Sequence, residues 1–428
     1  MKIKNFDSLA VTPLRRAALI IAEAGLEAID TEKVVRGQVR IEGDTLHIGG
    51  EIASLKDIGR IVVITVGKCA LDAAVVLEKV LGDRLTRGVA LYIGSYTKLE
   101  KIVGIKGTHP FPSEDNVRGA TTIVESLGGL SENDLVIFVI SGGGSTLLCL
   151  PDKGGYAEEG MILKTLTKEG VTIQEVNVVR KHISLARGGY LAKYAYPARV
   201  VSLIFSDVPG DGIQFVASGP TVKDTTTISD AEAILAKYNV LKQCGLEKCG
   251  LAETPKEDKY FEKVRNIVAV SNKEALDAMA AKALELGFAS SIRDYSLSGE
   301  AEAVGLRIAG ELNKEAPKTA LFYGGETTVT VSGRGRGGRN LELVFSALDQ
   351  VGEGGLVMSI ASDGRDNGEF AGAISDILTK QAVLDKRVDR DAVLKENNEY
   401  PTFEEIGHYL VTGDTGSNVS DLIIAIKE

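Results

Sequence analysis

Residues 61–81 read IVVITVGKCALDAAVVLEKVL. The first six are apolar and largely β-branched, as in a strand buried on both faces, and the stretch from Cys69 carries apolar residues at helical spacing. Gly67 and Lys68 stand at the turn between them. A strand that feeds straight into a helix is half of a βαβ unit and predicts a parallel sheet covered by helices. The alternation continues outward. VALYIG (89–94), LVIFVI (135–140) and VVSLIFSD (200–207) read as strands, with helices over 9–29, 116–127, 156–168, 172–195 and 230–241 and short strands within 35–50. Residues 242–262 are charged and weakly periodic, as a domain link would be. A second series follows, with strands in IVAVS (267–271), SIRDYS (291–296), TALFYGGETTVTVS (319–332), LVMSIASDG (356–364) and DLIIAI (421–426), and a short helix near AGAISD (371–376).

The expected fold is therefore two α/β domains. Residues 1–241, the N-terminal helix included, form a Rossmann-like domain with a mostly parallel sheet. Residues 242–428 form a second α/β domain, whose C-terminal segment is expected to pack back on the first. Ligands of such sheets bind beyond the carboxyl ends of the strands, so the informative loops are those that follow strands.

With 428 residues, 44% of them hydrophobic and 25% charged, the chain is long enough for two packed domains. Its formal net charge of −10 argues against nucleic acid, which needs a basic footprint. It leaves room for a small anionic substrate held by a few local cations. No apolar run reaches the ~18 residues of a membrane span. The N-terminus, MKIKNFDSLAVTPLRRAAL, has no signal-peptide h-region. The expectation is a cytoplasmic protein with no membrane partner. Cys69, Cys149, Cys244 and Cys249 form no CxxC spacing and are expected as free thiols.

Six small-residue loops carry the candidate chemistry. Lys68, after the first buried strand, can reach a phosphate as a point charge, although no Gly stands five residues before Gly67 and the Walker A spacing fails. GTHPFPSEDN (107–116) packs two prolines around His109, with Ser113 as helix N-cap; His109 either binds substrate or supports the turn. SGGGST (141–146) offers Ser141, Gly142, Gly143, Gly144 and Ser145 as a backbone anion nest with flanking hydroxyls. SDVPGDGIQFVASGPT (206–221) places Asp207 and Asp211 on a Pro–Gly turn, where they either hold a cation, polarise a hydroxyl or form an ordinary Asx-turn. GRGRGGRN (333–340) combines Gly335, Gly337, Gly338, Asn340 and Arg339 at the opening of a helix, which suits a polyphosphate. Glu326, Asp363 and Asp366 lie near that loop in sequence, and an acidic cluster beside phosphates suggests Mg²⁺.

Taken in order, VGKCALDAA, GTHPFPSEDN, SGGGSTLL, VRKHISLARGG, SDVPGDGIQFVASGPT, GGETTVTVSGRGRGGRN, SDGRDN with FAGA, and TGDTGSNVSDL resemble the class II glycerate kinases, also called the MOFRL family. The resemblance spans residues 66–422. It implies an active site in the cleft between two α/β domains, ATP and Mg²⁺, and transfer of the γ-phosphate to D-glycerate. In archaeal-type members the product is usually 2-phosphoglycerate. The family's lysine falls on Lys68 and its GGRN arginine on Arg339, both balancing phosphoryl charge, with Asp207 as the carboxylate for the hydroxyl proton. His109, Ser141, Arg180 and Asp211 become candidates for glycerate, and a homodimer is compatible with the family. Two loops depart from its pattern. TDGxDGPTDAAGA is shortened to SDGRDNGEFAGA, which weakens the metal assignment of Asp366 and Glu369 relative to Asp363. TGPTGTNV reads TGDTGSNV, where Asp414 replaces a proline and predicts a looser turn. The competing reading is an NAD(P)H-dependent hydroxypyruvate reductase, which rests on the literal GxGxxG of Gly333, Gly335 and Gly338.

Overall fold

A computed structural model of the chain describes residues 1–208 and 212–428. It divides into two compact units. One holds Thr31–Ser206 and residues 212–269; the other holds Met1–Asp30, Asp207 with Val208, and Val270–Glu428.

The first unit opens with a small antiparallel sheet of β1 (Val39–Glu42), β2 (Thr45–Ile48) and β3 (Glu51–Ser54). Its main sheet contains β4 (Ile61–Gly67), β5 (Leu85–Tyr92), β6 (Ile102–Lys106), β7 (Leu135–Ile140), β8 (Arg199–Phe205) and β9 (Val264–Val270), in the order β6-β5-β4-β7-β8-β9. The pairs β4·β5, β4·β7, β5·β6 and β7·β8 are all parallel. This is the strand order of a dinucleotide-binding sheet, as the Rossmann-like expectation required. Every residue of β4 and β7 is buried, which is why both read as unbroken apolar runs. Strand order reverses between β4 and β7, so the loops leaving these two strands lie at the topological switch point.

The other unit carries β10 (Ala289–Leu297), β11 (Thr319–Gly325), β12 (Gly355–Ala361), β13 (Gly372–Asp376), β14 (Tyr409–Leu410) and β15 (Asp421–Lys427), in the order β10-β11-β15-β12-β13-β14. Only β10·β11 is parallel; the last strand enters antiparallel between β11 and β12. The β-α alternation alone predicted a parallel sheet here, and it cannot register a terminal strand that inserts from the opposite direction. Antiparallel entry has a functional consequence. Asp421, the first residue of β15, stands in register with both Gly325 and Ala361, at the carboxyl ends of β11 and β12.

Several elements differ from the sequence reading. AGAISD itself forms strand β13, paired with β12 and β14, and the short helix expected near it begins only at Ile377 (Ile377–Asp385). The strand expected over 319–332 ends at Gly325, and β6 was not anticipated. The single helix expected over 172–195 is two, Ile173–His182 and Tyr190–Ala195, parted where Gly188 (φ 55°) and Gly189 (φ 90°) take left-handed backbone. The N-terminal helix, Pro13–Ala28, groups with residues 270–428 and not with the first sheet. It lies against the helix Asn272–Glu285 so closely that a Cβ on Gly25 would come within 2.6 Å of Met279 Sδ. Residues 242–262 stay in the first unit, since β9 joins its sheet, so the units part at 269/270 and not at 241/242. Among the described residues no helix is long and apolar enough to cross a membrane, and all four cysteines are free.

Candidate active site

Lys68 and the triple-glycine loop meet at the switch point of the first unit. The Lys68 N–H donates to Gly142 O (2.9 Å), and Ser141 N–H donates to Val66 O (2.9 Å). Gly67 makes this possible with φ 117°, and any Cβ there would sit 2.2 Å from Ser141 Oγ. Gly143 (φ 82°) faces Lys68 Cγ and His109 Cδ2, which a Cβ would approach to 3.5 and 3.7 Å. Lys68, His109 and Gly143 are thus neighbours. The main-chain N–H groups of Gly142 and Gly143 find no acceptor among the described residues. Gly144 instead supports packing, since its Cβ would clash with Ala217 Cβ at 2.6 Å.

Ser141 departs from its expected role. It is fully buried, and its hydroxyl donates to Val66 O (3.3 Å) while accepting from Cys69 N–H (3.2 Å), so it locks the turn and does not face a ligand. Ser145 Oγ lies 2.9 Å from Ser218 Oγ, and Ser218 donates to Asn177 Oδ1 (2.8 Å). Arg180 follows one turn after Asn177 on the same helix. His109 is shaped by Asn116, a buried residue whose amide holds Thr108 O and Thr146 O (both 3.0 Å) and so ties the two loops together. Ser113 occupies the N-cap position as expected, but its hydroxyl bonds Asn116 and no helix N–H. Asp211 lies outside the described residues.

In the other unit, the loops after β11 and β12 and before β15 converge on Asp421. Arg339 forks onto it, Nε to Oδ2 at 2.5 Å and Nη2 to Oδ1 at 3.0 Å, and Nη2 also reaches Glu326 Oε1 at 2.8 Å. Burial opposes the guanidinium charge, yet Asp421 and Glu326 outweigh it and hold Arg339 above its ordinary pKa. Nη1 is left outside these pairs. Asp207 is fixed beside this group by Asn418 Nδ2, which donates to Oδ2 (2.9 Å), and by Ser420 Oγ on its carbonyl (2.6 Å). Asp421 and Asn418 were not singled out in the sequence, because Asp421 reads as the start of an apolar strand and Asn418 as an ordinary loop amide.

The glycine-arginine loop is less open than its composition suggests. Gly333, Gly335 and Gly337 are glycines because residues 396–399 press on them; a Cβ would meet Glu396, Asn397 or Glu399 at 2.0–2.7 Å. The N–H groups of Gly333, Gly335 and Arg336 donate to Asn397 Oδ1, Glu396 O and Asn398 Oδ1. Gly335 is therefore not a phosphate donor. Arg336 stacks on Tyr400 at 3.6 Å. Asn340 is buried, with its amide shared between Ser359 Oγ and Asp366 Oδ1, and it too is structural. Within this loop, the Gly337 and Gly338 N–H groups find no acceptor among the described residues. β11 ends eight residues before the literal GxGxxG begins at Gly333, so the motif is not the tight strand-to-helix turn of a dinucleotide site.

The three carboxylates read as a metal site do not form one. Among the described residues no group of three His, Cys, Asp or Glu side chains could hold a metal ion. Glu326 pairs with Arg339. Asp366 is buried at the start of the helix Arg339–Ala347, accepting from Leu341 N–H (2.8 Å); burial and the nearby Asp421 raise its pKa to about 6. Asp363 accepts from Arg365 N–H (3.0 Å). The two departures from the family pattern meet on the surface: Arg365 of the shortened loop pairs with Asp414, the residue that replaces the proline, at 2.5 Å. Thr415 Oγ1 on Ser362 O (2.5 Å) closes the same junction.

A parallel sheet whose switch point presents a lysine and an open glycine turn, joined in one chain to an arginine clamped by carboxylates, defines a phosphoryl-transfer type of α/β protein. A family model described as a domain of unknown function, DUF4147, matches residues 17–247, and the MOFRL family model matches residues 319–421. The chain is 37% identical to a glycerate 2-kinase of Pyrococcus horikoshii, over 96% of this chain and 97% of that one. It is 34% identical to a D-glycerate 2-kinase of Thermotoga maritima, over 96% and 98%. The solved structure of a Thermotoga maritima glycerate kinase superposes with a TM-score of 0.82 at 32% identity, covering 96% of this chain and 99% of that one. The chain belongs to the MOFRL family of glycerate kinases.

Proposed function

We propose that this protein is a glycerate 2-kinase, which transfers the γ-phosphoryl group of ATP to the 2-hydroxyl of D-glycerate. The observation that carries the reading is Lys68 seated against the unsatisfied Gly142 and Gly143 N–H groups at the switch point, within a chain similar to glycerate 2-kinases over nearly its whole length. Phosphoryl transfer asks little covalent chemistry of a protein; it asks for alignment and for cations where charge develops. Lys68 and Arg339 are assigned that charge. The carboxylates on Arg339 fix its fork in place before the substrate arrives, which favours the transition state at no cost in reorganisation. The Gly142–Gly143 and Gly337–Gly338 N–H groups are assigned to phosphate oxygens. Asp207, held by Asn418, orients the glycerate hydroxyl and takes its proton. Arg180 and His109 hold the substrate carboxylate.

ATP enters as its Mg²⁺ complex, written here as substrate. Such a complex needs only one or two protein carboxylates beside its own phosphates and waters. Asp363 is the carboxylate assigned to it; the cation supplies neutralisation of β- and γ-phosphate charge. Four free cysteines accord with a cytoplasmic setting.

The test supplies D-glycerate with ATP and Mg²⁺, follows ADP release, and reads the product by phosphorus NMR. Formation of 2-phosphoglycerate is expected. Exclusive 3-phosphoglycerate would overturn the regiochemistry, and no glycerate-dependent ADP release would overturn the activity. Hydroxypyruvate with NAD(P)H is expected to give no turnover.

A further inference from the structure

Arg180 sits in an unusual electrostatic setting. Its Nε is buried without a hydrogen-bond partner, and its guanidinium makes no ion pair among the described residues. Burial and the neighbouring Arg187 pull its pKa down to about 10, against an opposing pull from Glu159. A carboxylate close enough to act on Arg180 is thus present, yet it does not bond it.

Glu159 is instead held by Arg187. Arg187 is fully buried; its Nη2 donates to Glu159 Oε1 at 2.5 Å, and its Nη1 donates to the Arg180 carbonyl at 3.0 Å. The second Glu159 oxygen is buried with no partner. The chain just after Arg187 is anchored, because Gly188 N–H and Gly189 N–H donate to Ser218 O (2.9 Å) and Gly219 O (2.8 Å). Ser218 is the residue that touches Ser145 of the triple-glycine loop.

The charges sum to one uncompensated cation: two guanidiniums and one carboxylate. A buried carboxylate left without Arg187 would seek another guanidinium, and Arg180, on which the Glu159 charge already acts, is the candidate. We infer that Arg187 is a positioning residue that keeps Glu159 from quenching Arg180, so that Arg180 stays available for the single carboxylate of the substrate. The inference rests on the glycerate reading and deepens it, since it assigns monocarboxylate selection to a buried pair that does not touch substrate.

The pair's two members are expected to behave oppositely, which a merely structural salt bridge would not do. With wild-type glycerate phosphorylation established first, D-glycerate binding is measured by calorimetry alongside KM and kcat, with glyceramide as the uncharged probe. Arg187→Leu should weaken glycerate binding at least ~30-fold, the scale of one lost charge contact. The KM for ATP should stay near wild type, and glyceramide binding should not change. Glu159→Gln should leave glycerate binding within ~3-fold of wild type or tighten it, because the competing carboxylate is gone. The double variant Glu159→Leu/Arg187→Leu has no buried charge left unpaired and should return to within ~5-fold of wild type. Equal losses from Arg187→Leu and Glu159→Gln, or a double variant that folds yet binds as weakly as Arg187→Leu, would overturn the inference. If the wild type neither binds nor phosphorylates glycerate, the substrate reading itself fails, and this is visible before any variant is compared.

Discussion

Lys68 and Arg339 are both proposed to balance phosphoryl charge, but their surroundings differ. Arg339 is clamped by two carboxylates, whereas Lys68 is placed by its main chain against an open glycine turn. Replacing either by Ala should lower kcat at least ~100-fold with the fold intact, since a charge contact made in the transition state is removed. Steady-state kinetics with circular dichroism as the folding control checks this. Glu399 makes a different prediction. It is fully buried under the glycine-arginine loop, and neither carboxyl oxygen finds a partner on another residue. Burial, with Glu342 and Asp366 nearby, raises its pKa from 4.5 to about 8. The folded state then binds the proton more tightly than the unfolded chain, so stability is fullest below the unfolded value and falls as pH rises toward the folded one. Glu399→Gln should therefore gain on the order of 2–4 kcal/mol over wild type near about pH 9, and little near about pH 5, in urea unfolding curves. The residue types at these positions were legible in the sequence, but their states were not. Asn340 and Ser141 carry groups that suit a phosphate, and only packing shows that both are fully committed within the protein.

At the scale of elements, local periodicity was a good guide wherever an element is buried by its own sequence. β4 and β7 are readable because burial on both faces leaves only apolar choices. It failed where long-range pairing decides, as in β13 and in β15. The loops followed the same division. In the triple glycine, the Gly142 and Gly143 N–H groups find no acceptor among the described residues and that of Gly144 is turned back to Ser141 O, while the glycine-arginine loop owes three of its glycines to the pressure of residues 396–399, some 60 positions away in sequence. The sharpest consequence is at Gly67. Its φ of 117° and the 2.2 Å approach of Ser141 Oγ leave no room for a methyl group. Gly67→Ala should cost about 2–3 kcal/mol of stability, and should lower kcat/KM with it, because the shift falls on the hydrogen bond from Lys68 N–H to Gly142 O. Gly37→Ala is the control, since its Cβ would meet nothing within 4 Å.

At the scale of the molecule, the chain begins in the unit that it also ends in, and the joint is a buried ion pair. Arg15, from the N-terminal helix, forks onto Asp376 with Nε–Oδ2 at 2.6 Å and Nη2–Oδ1 at 2.7 Å. Asp376 also caps the helix Ile377–Asp385 through Thr379 N–H (2.9 Å). Burial, reinforced by Arg15, pulls His408 down to about 4, so its neutral ring nitrogen can accept from Arg15. Sequence could not expose this joint, because Arg15 lies in an RR pair that reads as the solvated face of an amphipathic helix. For Asp376, burial works against the charge, but Arg15 and the Thr379 bonds outweigh it and hold the carboxyl below its ordinary value. Its contribution is therefore present above the unfolded pKa and lost as pH falls through the folded one. Arg15→Met would leave the carboxylate buried and unpaired, at a cost of about 3–5 kcal/mol near neutral pH. In that variant burial alone would drive Asp376 to take up a proton, so the deficit against wild type should shrink steadily as pH is lowered toward about 4. Chemical unfolding of both proteins across that range checks the prediction, and a deficit independent of pH would mean that lost side-chain packing, and not the buried charge, is what Arg15 supplies.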